Sequence, residues 1–239
     1  MIGTGGTIAS RQTEDGLAPA IDALSAVKDS LNKGEEKKNT ACVIHCRKRN
    51  EGFKTSSKVQ YVARCGNFID GGQEYTGALQ ILKVILSYDY LWQNIRVKGG
   101  AYGCMSSFNR AGEGYLVSYR DPNLEKTNEV FEGVVDYLRN FTVDDRDMNK
   151  FIIGTMSNLD RPMNPAAKGN RSMNLYMNHI TEDMLRQERA QILEADQEDI
   201  RALADIVQAV LDAGLICVIG SEEKIEQQKQ LFEEVRILS

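Results

Sequence analysis

Residues 74–119 read EYTGALQILKVILSYDYLWQNIRVKGGAYGCMSSFNRAGEGYLVSY, and this stretch decides the fold. Apolar side chains recur at helical spacing through its first part, which predicts a long helix over Glu74–Gln93. Ile81, Ile85 and Tyr88 widen the apolar stripe, as is typical of a helix that lies on a sheet. Glycines then introduce two β-rich segments, 103–108 and 115–119, separated by a polar turn, and this pattern predicts a hairpin.

Strand and helix signals alternate on both sides of this stretch. β-Branched and aromatic residues predict strands at 42–46, 59–63 and 214–219. Asp121-Pro122 predicts an N-cap and first-turn proline for the next helix, and Thr142 with Asp145 resembles a capping box. Further helices are predicted at 21–31, 170–179, 182–194, 197–213 and 221–234. We therefore expect an α+β fold, with an antiparallel-rich sheet covered by helices on one face.

Composition bounds the class of protein. The chain has 239 residues, of which 42% are hydrophobic and 26% charged, as in ordinary globular domains. Its length allows about 70% of the surface to be buried, so a core can form without metal or disulfide support. Five scattered cysteines and the lack of a secretory signal pattern at the N-terminus predict a cytoplasmic protein with free thiols. Because no run of 18 apolar residues occurs, we expect no membrane partner.

The sequence gives little support for a metal-binding or nucleotide-binding site. The chain has two histidines and lacks both His-Glu-x-x-His and His-x-x-Glu-His. Cys42 and Cys46 share one face of the predicted strand while His45 points to the other, so these three side chains cannot converge on a metal. The glycine-rich stretches lack the phosphate-binding pattern, and basic residues do not interleave with aromatic ones. We predict no metal or cofactor bound by this chain and no nucleic-acid partner.

The first twenty residues carry a different signature. Residues 4–9 read TGGTIA, which resembles the N-terminal active-site motif of bacterial-type asparaginases. The resemblance implies that Thr7 is the nucleophile of that motif. An activated hydroxyl also needs neighbouring groups to accept its proton, and the second block of that family, Gly-Thr-Asp-Thr, does not occur in this chain. We interpret residues 1–22 as an asparaginase-like remnant joined to the rest of the chain.

A broader resemblance covers residues 22 to 239. Its motifs are NEGFKT (50–55), KVQYVAR (58–64), YTGAL (75–79), YDYLW (88–92), RVKGGAYG (96–103) and SYRDPN (118–123). In this order they resemble the last domain of pitrilysin/insulinase-type zinc metallopeptidases, in the presequence-protease branch. We assign residues 23–239 to such a C-terminal metallopeptidase domain.

The resemblance implies a function and two site residues. In that family, two half-shells enclose an unfolded peptide, and the zinc motif lies in the first half. The last domain supplies an arginine and a tyrosine that contact the substrate, and these positions are Arg96 and Tyr102 here. A guanidinium can bind peptide carbonyls or carboxylates, and a phenol can stabilise an oxyanion by about 3 kcal/mol. From the residues alone, Arg96 in a surface ion pair and Tyr102 in a packing role remain an alternative.

The chain itself carries no zinc motif, so we expect no catalytic residue and no activity from it alone. The implied partners are a peptide substrate and a separately encoded half that binds zinc. Two other functions stay open at this point, an asparaginase fragment and a non-catalytic peptide-binding remnant.

Overall fold

The computed structural model describes residues 10–13, 16–19 and 47–238. The chain divides into two compact units, one of residues 1–46 and 161–181 and the other of residues 47–160 and 182–239. Eight strands are described: β1 (Ser10–Thr13), β2 (Gly16–Pro19), β3 (Glu51–Thr55), β4 (Gln60–Asn67), β5 (Gly103–Phe108), β6 (Glu113–Asp121), β7 (Leu215–Ser221) and β8 (Glu234–Ile237). In the first unit, β1 and β2 pair antiparallel.

Eight α-helices are described in the same ranges. They are α1 (Ala78–Tyr88), α2 (Glu125–Glu132), α3 (Val134–Arg139), α4 (Asp145–Leu159), α5 (Pro165–Met177), α6 (Glu182–Leu193), α7 (Gln197–Asp212) and α8 (Glu222–Gln227). A π-helical segment, Trp92–Val97, follows α1, and a 3-10 turn, Lys229–Leu231, follows α8. Helix α5 belongs to the first unit and the other helices to the second.

The second unit contains a six-stranded sheet in the order β5-β6-β4-β7-β3-β8. The pairs β5–β6, β6–β4 and β4–β7 are antiparallel, whereas β7–β3 and β3–β8 are parallel. The predicted α+β class with an antiparallel-rich sheet is confirmed, and the sheet is mixed.

One face of this sheet is covered by helices. Several side chains of β4, β6 and β7, such as Val62, Leu116 and Val218, are buried under them. Helix α7 contributes seven buried residues, which are Ile200, Leu203, Ala204, Ile206, Val207, Val210 and Leu211. The opposite face carries apolar side chains that stay partly exposed, among them Tyr61, Met105, Tyr115 and Ile219. This second face is called the open face below.

The predicted strand at 59–63 and the predicted hairpin are confirmed as β4 and β5–β6, and the strand at 214–219 is confirmed as β7. The helices expected at 170–179, 182–194 and 197–213 correspond to α5, α6 and α7. The helix expected over 74–93 is shorter, because it ends at Tyr88 and the chain continues into the π-helical segment. The predicted elements at 21–31 and 42–46 lie outside the described residues.

Two predicted caps are wrong. Asp121 is the last residue of β6, where it pairs with Gln60. Its buried carboxylate accepts from the Asn123 amide and from the Thr127 hydroxyl, so it cannot cap a helix that begins at Glu125. The helix at 145 is capped by Asp144, which accepts from the Asp147 amide.

The C-terminal prediction is also wrong in part. A single helix was expected over 221–234, but α8 ends at Gln227 and β8 follows. Strand β3 has little intrinsic β character and depends on partners distant in sequence, whereas β8 (Glu-Val-Arg-Ile) alternates polar and apolar residues but is only four residues long and follows directly on a helical pattern.

Candidate functional site

The candidate site lies where the π-helical segment runs into β5. Backbone hydrogen bonds fold the connecting turn tightly, from the Gly100 amide to the Arg96 carbonyl (3.0 Å) and from Ala101 to Ile95 (3.1 Å). Gly100 has φ of 77°, a left-handed conformation that glycine adopts without strain. The turn brings Arg96 and Tyr102 to the same place.

Arg96 and Tyr102 are in direct contact. The Arg96 guanidinium donates to the Tyr102 carbonyl oxygen. Its Cζ lies 5.5 Å from the centroid of the Tyr102 ring and 4.8 Å from that of Trp92, within the range of cation–π interactions. The π-helical segment places Trp92 and Arg96 so that the two side chains stack. Both residues that the resemblance implied are therefore brought together, as one cluster.

The alternative interpretation fits these two residues in part, because the Tyr102 ring packs against neighbouring side chains. Among the described residues, Arg96 forms no ion pair with a carboxylate. Tyr102 is 58% exposed, and its hydroxyl has no hydrogen-bond partner in the described part of the chain. An arginine without an acidic partner and a tyrosine with a free hydroxyl can both bind a ligand.

Two further residues complete the cluster, and sequence reasoning missed both. Arg120 lies beside Tyr102, with its Cζ 5.3 Å from the ring centroid. The Tyr119 ring packs against the Tyr102 ring, and the two ring centroids are 5.8 Å apart. Residues 119 and 120 come from β6, and the pairing of Gly103 with Tyr119 brings them next to Tyr102. The register of the predicted hairpin is the signal that could have found them.

A concavity of about 550 Å³ opens at this cluster. Its lining residues are Arg96, Val97, Gly100, Ala101, Tyr102 and Arg120. Tyr119 also lies on the open face of the sheet, in the same strand row as Val117 and Tyr115. Because Tyr119 packs against Tyr102, the concavity lies next to a partly exposed apolar surface.

The thiol of Cys104, next to the Arg96–Tyr102 cluster in sequence, has a raised pKa. Burial raises the pKa of Cys104 to about 11; the Asp121 carboxylate adds to the increase and the Arg96 guanidinium opposes it. The chemistry of the cluster therefore rests on guanidinium and phenol groups, which bind and orient polar ligands.

One candidate nucleophile and three residues rejected as metal ligands lie within the first 46 residues of the chain. Thr7, Cys42, His45 and Cys46 lie outside the described residues. Within residues 10–13, 16–19 and 47–238, no three His, Cys, Asp or Glu side chains are grouped so that they could hold a metal ion. In the same ranges, no helix combines the length and apolar character that a membrane span requires.

Comparison with known proteins agrees with the resemblance found in the sequence. The family model described as the PreP C-terminal domain matches residues 50–222. The chain belongs to this family. Both Arg96 and Tyr102 lie inside the matched residues, whereas Thr7 lies outside them.

Curated relatives of this PreP C-terminal domain are much longer proteins. The protein HypA of Clostridium perfringens is 44% identical over 189 residues, which cover 79% of this chain and 19% of HypA. Presequence protease 1 of Arabidopsis thaliana is 34% identical over 179 residues, covering 74% of this chain and 17% of that protein. The chain spans less than a fifth of the length of these two relatives.

Solved structures support the fold of this PreP C-terminal domain. The crystal structure of pitrilysin matches with a TM-score of 0.53 at 15% identity, over 82% of this chain and 22% of that one. A structure described as the peptidase M16 inactive domain from Pseudomonas fluorescens matches with a TM-score of 0.54 at 15% identity, over 72% and 43% of the two chains. At such identities the likeness shows the fold alone.

Proposed function

We propose that this chain is the substrate-contacting C-terminal domain of a zinc metalloendopeptidase that degrades unfolded peptides. The observation that carries the proposal is the Arg96–Tyr102 cluster at one concavity, where, among the described residues, the guanidinium has no acidic partner and the phenol hydroxyl has no hydrogen-bond partner. Family membership and a relative named presequence protease support a peptide as the ligand.

Arg96 holds the substrate in this proposal. One of its nitrogens is engaged by the Tyr102 carbonyl, which leaves further donors for a peptide carbonyl oxygen. The stacking of the guanidinium on Trp92 limits its rotamers, so less conformational entropy is lost when the peptide binds.

Tyr102 acts on the reacting carbonyl in this proposal. Its free hydroxyl can donate to the oxyanion that develops during peptide hydrolysis, and that contact is stronger in the transition state than in the ground state. The loss of this hydroxyl should therefore lower turnover more than binding.

Zinc belongs to another part of the assembly in this proposal. The described residues offer no group of ligands that fits the metal. When bound in a complementary half, zinc supplies the activated water and polarises the carbonyl. Residues 47–238 contribute the contacts that hold the peptide.

A chimeric enzyme tests the proposal. Residues 50–222 of this chain replace the matched segment of the Arabidopsis presequence protease 1, and cleavage of a quenched fluorescent peptide is followed. We expect Tyr102→Phe to lower kcat by about 100-fold with little change in KM. Arg96→Ala should lower kcat/KM by about tenfold or more, mainly through KM.

Matched controls separate the site from general damage. Tyr88 is 73% exposed at the end of α1, so Tyr88→Phe removes a hydroxyl elsewhere and should leave kcat unchanged. Arg186 is an exposed arginine paired within α6, and Arg186→Ala should do the same. An active chimera in which the two site variants match these controls would overturn the assignment of the site.

A folded chimera without activity would instead favour a non-catalytic peptide-binding domain. Binding of the same peptide to the unfused chain, measured by fluorescence anisotropy, then decides whether peptide recognition itself survives.

A further inference from the structure

Arg120 stands out among the residues of the concavity. It is exposed, and its φ of 48° is a left-handed backbone conformation that non-glycine residues rarely adopt. Such strain persists where the surrounding structure holds it in place, and it is concentrated at functional sites. Here the Arg120 carbonyl accepts from the Tyr102 amide (3.2 Å), so the strained residue is tied to the proposed substrate contact.

The side chain of Arg120 adds a second positive charge to the site. Its Cζ lies 5.3 Å from the Tyr102 ring centroid and that of Arg96 lies 5.5 Å from the same centroid. Neither arginine forms an ion pair with any residue that the structure describes. Two guanidinium groups that line one concavity without an acidic partner give it an excess of positive charge, which favours the binding of an anion there.

The planar guanidinium groups of the two arginines favour a carboxylate as the bound anion. Guanidinium groups present several donors in a plane, which suits the two oxygens of a carboxylate. The apolar open face continues from the concavity through Tyr119, so a peptide bound there could place one of its carboxylates at the arginine pair.

We infer that Arg96 and Arg120 together bind a carboxylate of the peptide, and that Arg120 thereby determines a preference for anionic peptides. The inference rests on the proposed function, since the ligand is taken to be a peptide. The carboxylate is that of an acidic side chain or of the peptide C-terminus, and both present the same chemistry to the two guanidinium groups.

Four versions of one fluorescent peptide test this inference by anisotropy with the unfused chain. They carry glutamate or glutamine at one position and end in a carboxylate or an amide. We expect at least one carboxylate to tighten binding by about tenfold, with the gain reduced when salt is raised from 50 to 200 mM. Tighter binding of the glutamate peptides would identify a side-chain carboxylate as the ligand, and tighter binding of the peptides with a free C-terminus would identify the terminal carboxylate.

The variants assign the effect to Arg120. Arg120→Gln should reduce the preference to less than about twofold, and Arg120→Lys should restore part of it. Lys83→Gln removes the same charge from an exposed position of α1 and should leave the preference intact. Equal binding of all four peptides, or a preference that survives Arg120→Gln, would overturn the inference.

A titration with acetate tests the carboxylate site without a peptide, so its outcome does not depend on the proposed function. The Nε–H signals of Arg96 and Arg120 in the NMR spectrum should shift together as acetate is added, and the response of Arg96 should weaken in Arg120→Gln. If no peptide binds but both signals respond to acetate, the carboxylate site stands and the peptide ligand is wrong. If neither signal responds, the carboxylate site is wrong, whether or not a peptide binds.

Discussion

Gly66 in β4 is where helix α7 approaches the sheet most tightly, and its replacement by alanine should destabilise the fold by about 3 kcal/mol. A Cβ at this position would lie 2.3 Å from the Val210 carbonyl oxygen and 2.8 Å from the Ala213 Cβ. Close carbon–oxygen contacts are about 3.3 Å, so α7 would have to move by about 1 Å. The obstacle is backbone, which cannot rotate away as a side chain can.

The predicted loss of stability follows from the packing that a movement of α7 would disturb. Helix α7 buries seven side chains against the sheet and neighbouring helices. Overpacking of a well-filled core costs about 1–3 kcal/mol, and the upper end applies because one end of a whole helix must move. For a protein of this size, about 3 kcal/mol corresponds to a fall in Tm of roughly 6–12 °C.

Gly103 in β5 is the matched control. Its added Cβ would also lie 2.3 Å from the nearest atom, but that atom is the hydroxyl oxygen of Tyr119, at the tip of a half-buried side chain. The ring can turn aside, so Gly103→Ala should cost less than about 1 kcal/mol. It should, however, displace Tyr119 from Tyr102 and weaken peptide binding at the site.

The assay is urea unfolding followed by the fluorescence of Trp92, the single tryptophan of the chain. Because Trp92 lies in the larger unit, its signal reports on the unit that contains both glycines. Equal free energies of unfolding for Gly66→Ala and Gly103→Ala would refute the reasoning that backbone and side-chain obstacles differ.

Two further predictions concern stability. Gly154 lies inside α4, where an added Cβ would contact only Val84, at an ordinary distance of 3.7 Å. Gly154→Ala should therefore raise the free energy of unfolding by about 0.5–1 kcal/mol in the same urea assay. A lower free energy of unfolding would contradict this prediction. Burial raises the pKa of Tyr75 from its ordinary 10.0 to about 12, so its contribution to stability is complete below pH 10 and is lost as the pH rises towards 12. Tyr75→Phe should therefore reduce the loss of stability between pH 10 and 12, and an unchanged alkaline transition would argue against the shifted pKa.

The sequence predicted the elements whose signals are local. Helix α1 and the β5–β6 hairpin have regular apolar spacing or glycine-led turns, and both occur close to the predicted positions. Strand β3 was missed because Glu51-Gly-Phe-Lys-Thr55 has little intrinsic β character and owes its conformation to parallel neighbours on both sides. The π-helical segment has no local signature either, since it is stabilised by the turn that follows it.

The candidate site divides in the same way. Arg96 and Tyr102 were found because they lie six positions apart around a glycine pair, within one recognisable motif. Arg120 was missed because it joins them across the hairpin. Its left-handed backbone also has no marker in the sequence, where asparagine or glycine would have given one.

The position of β3 between β7 and β8 has a consequence for biosynthesis. Glu51 pairs with Cys217 on one side and with Glu234 on the other, so both neighbours of β3 are translated long after it. At 5–20 residues per second, a ribosome needs roughly 10–35 s to pass from β3 to β8. For that time β3 and one edge of β4 remain unpaired on the nascent chain, open to association with other chains until the last two strands emerge.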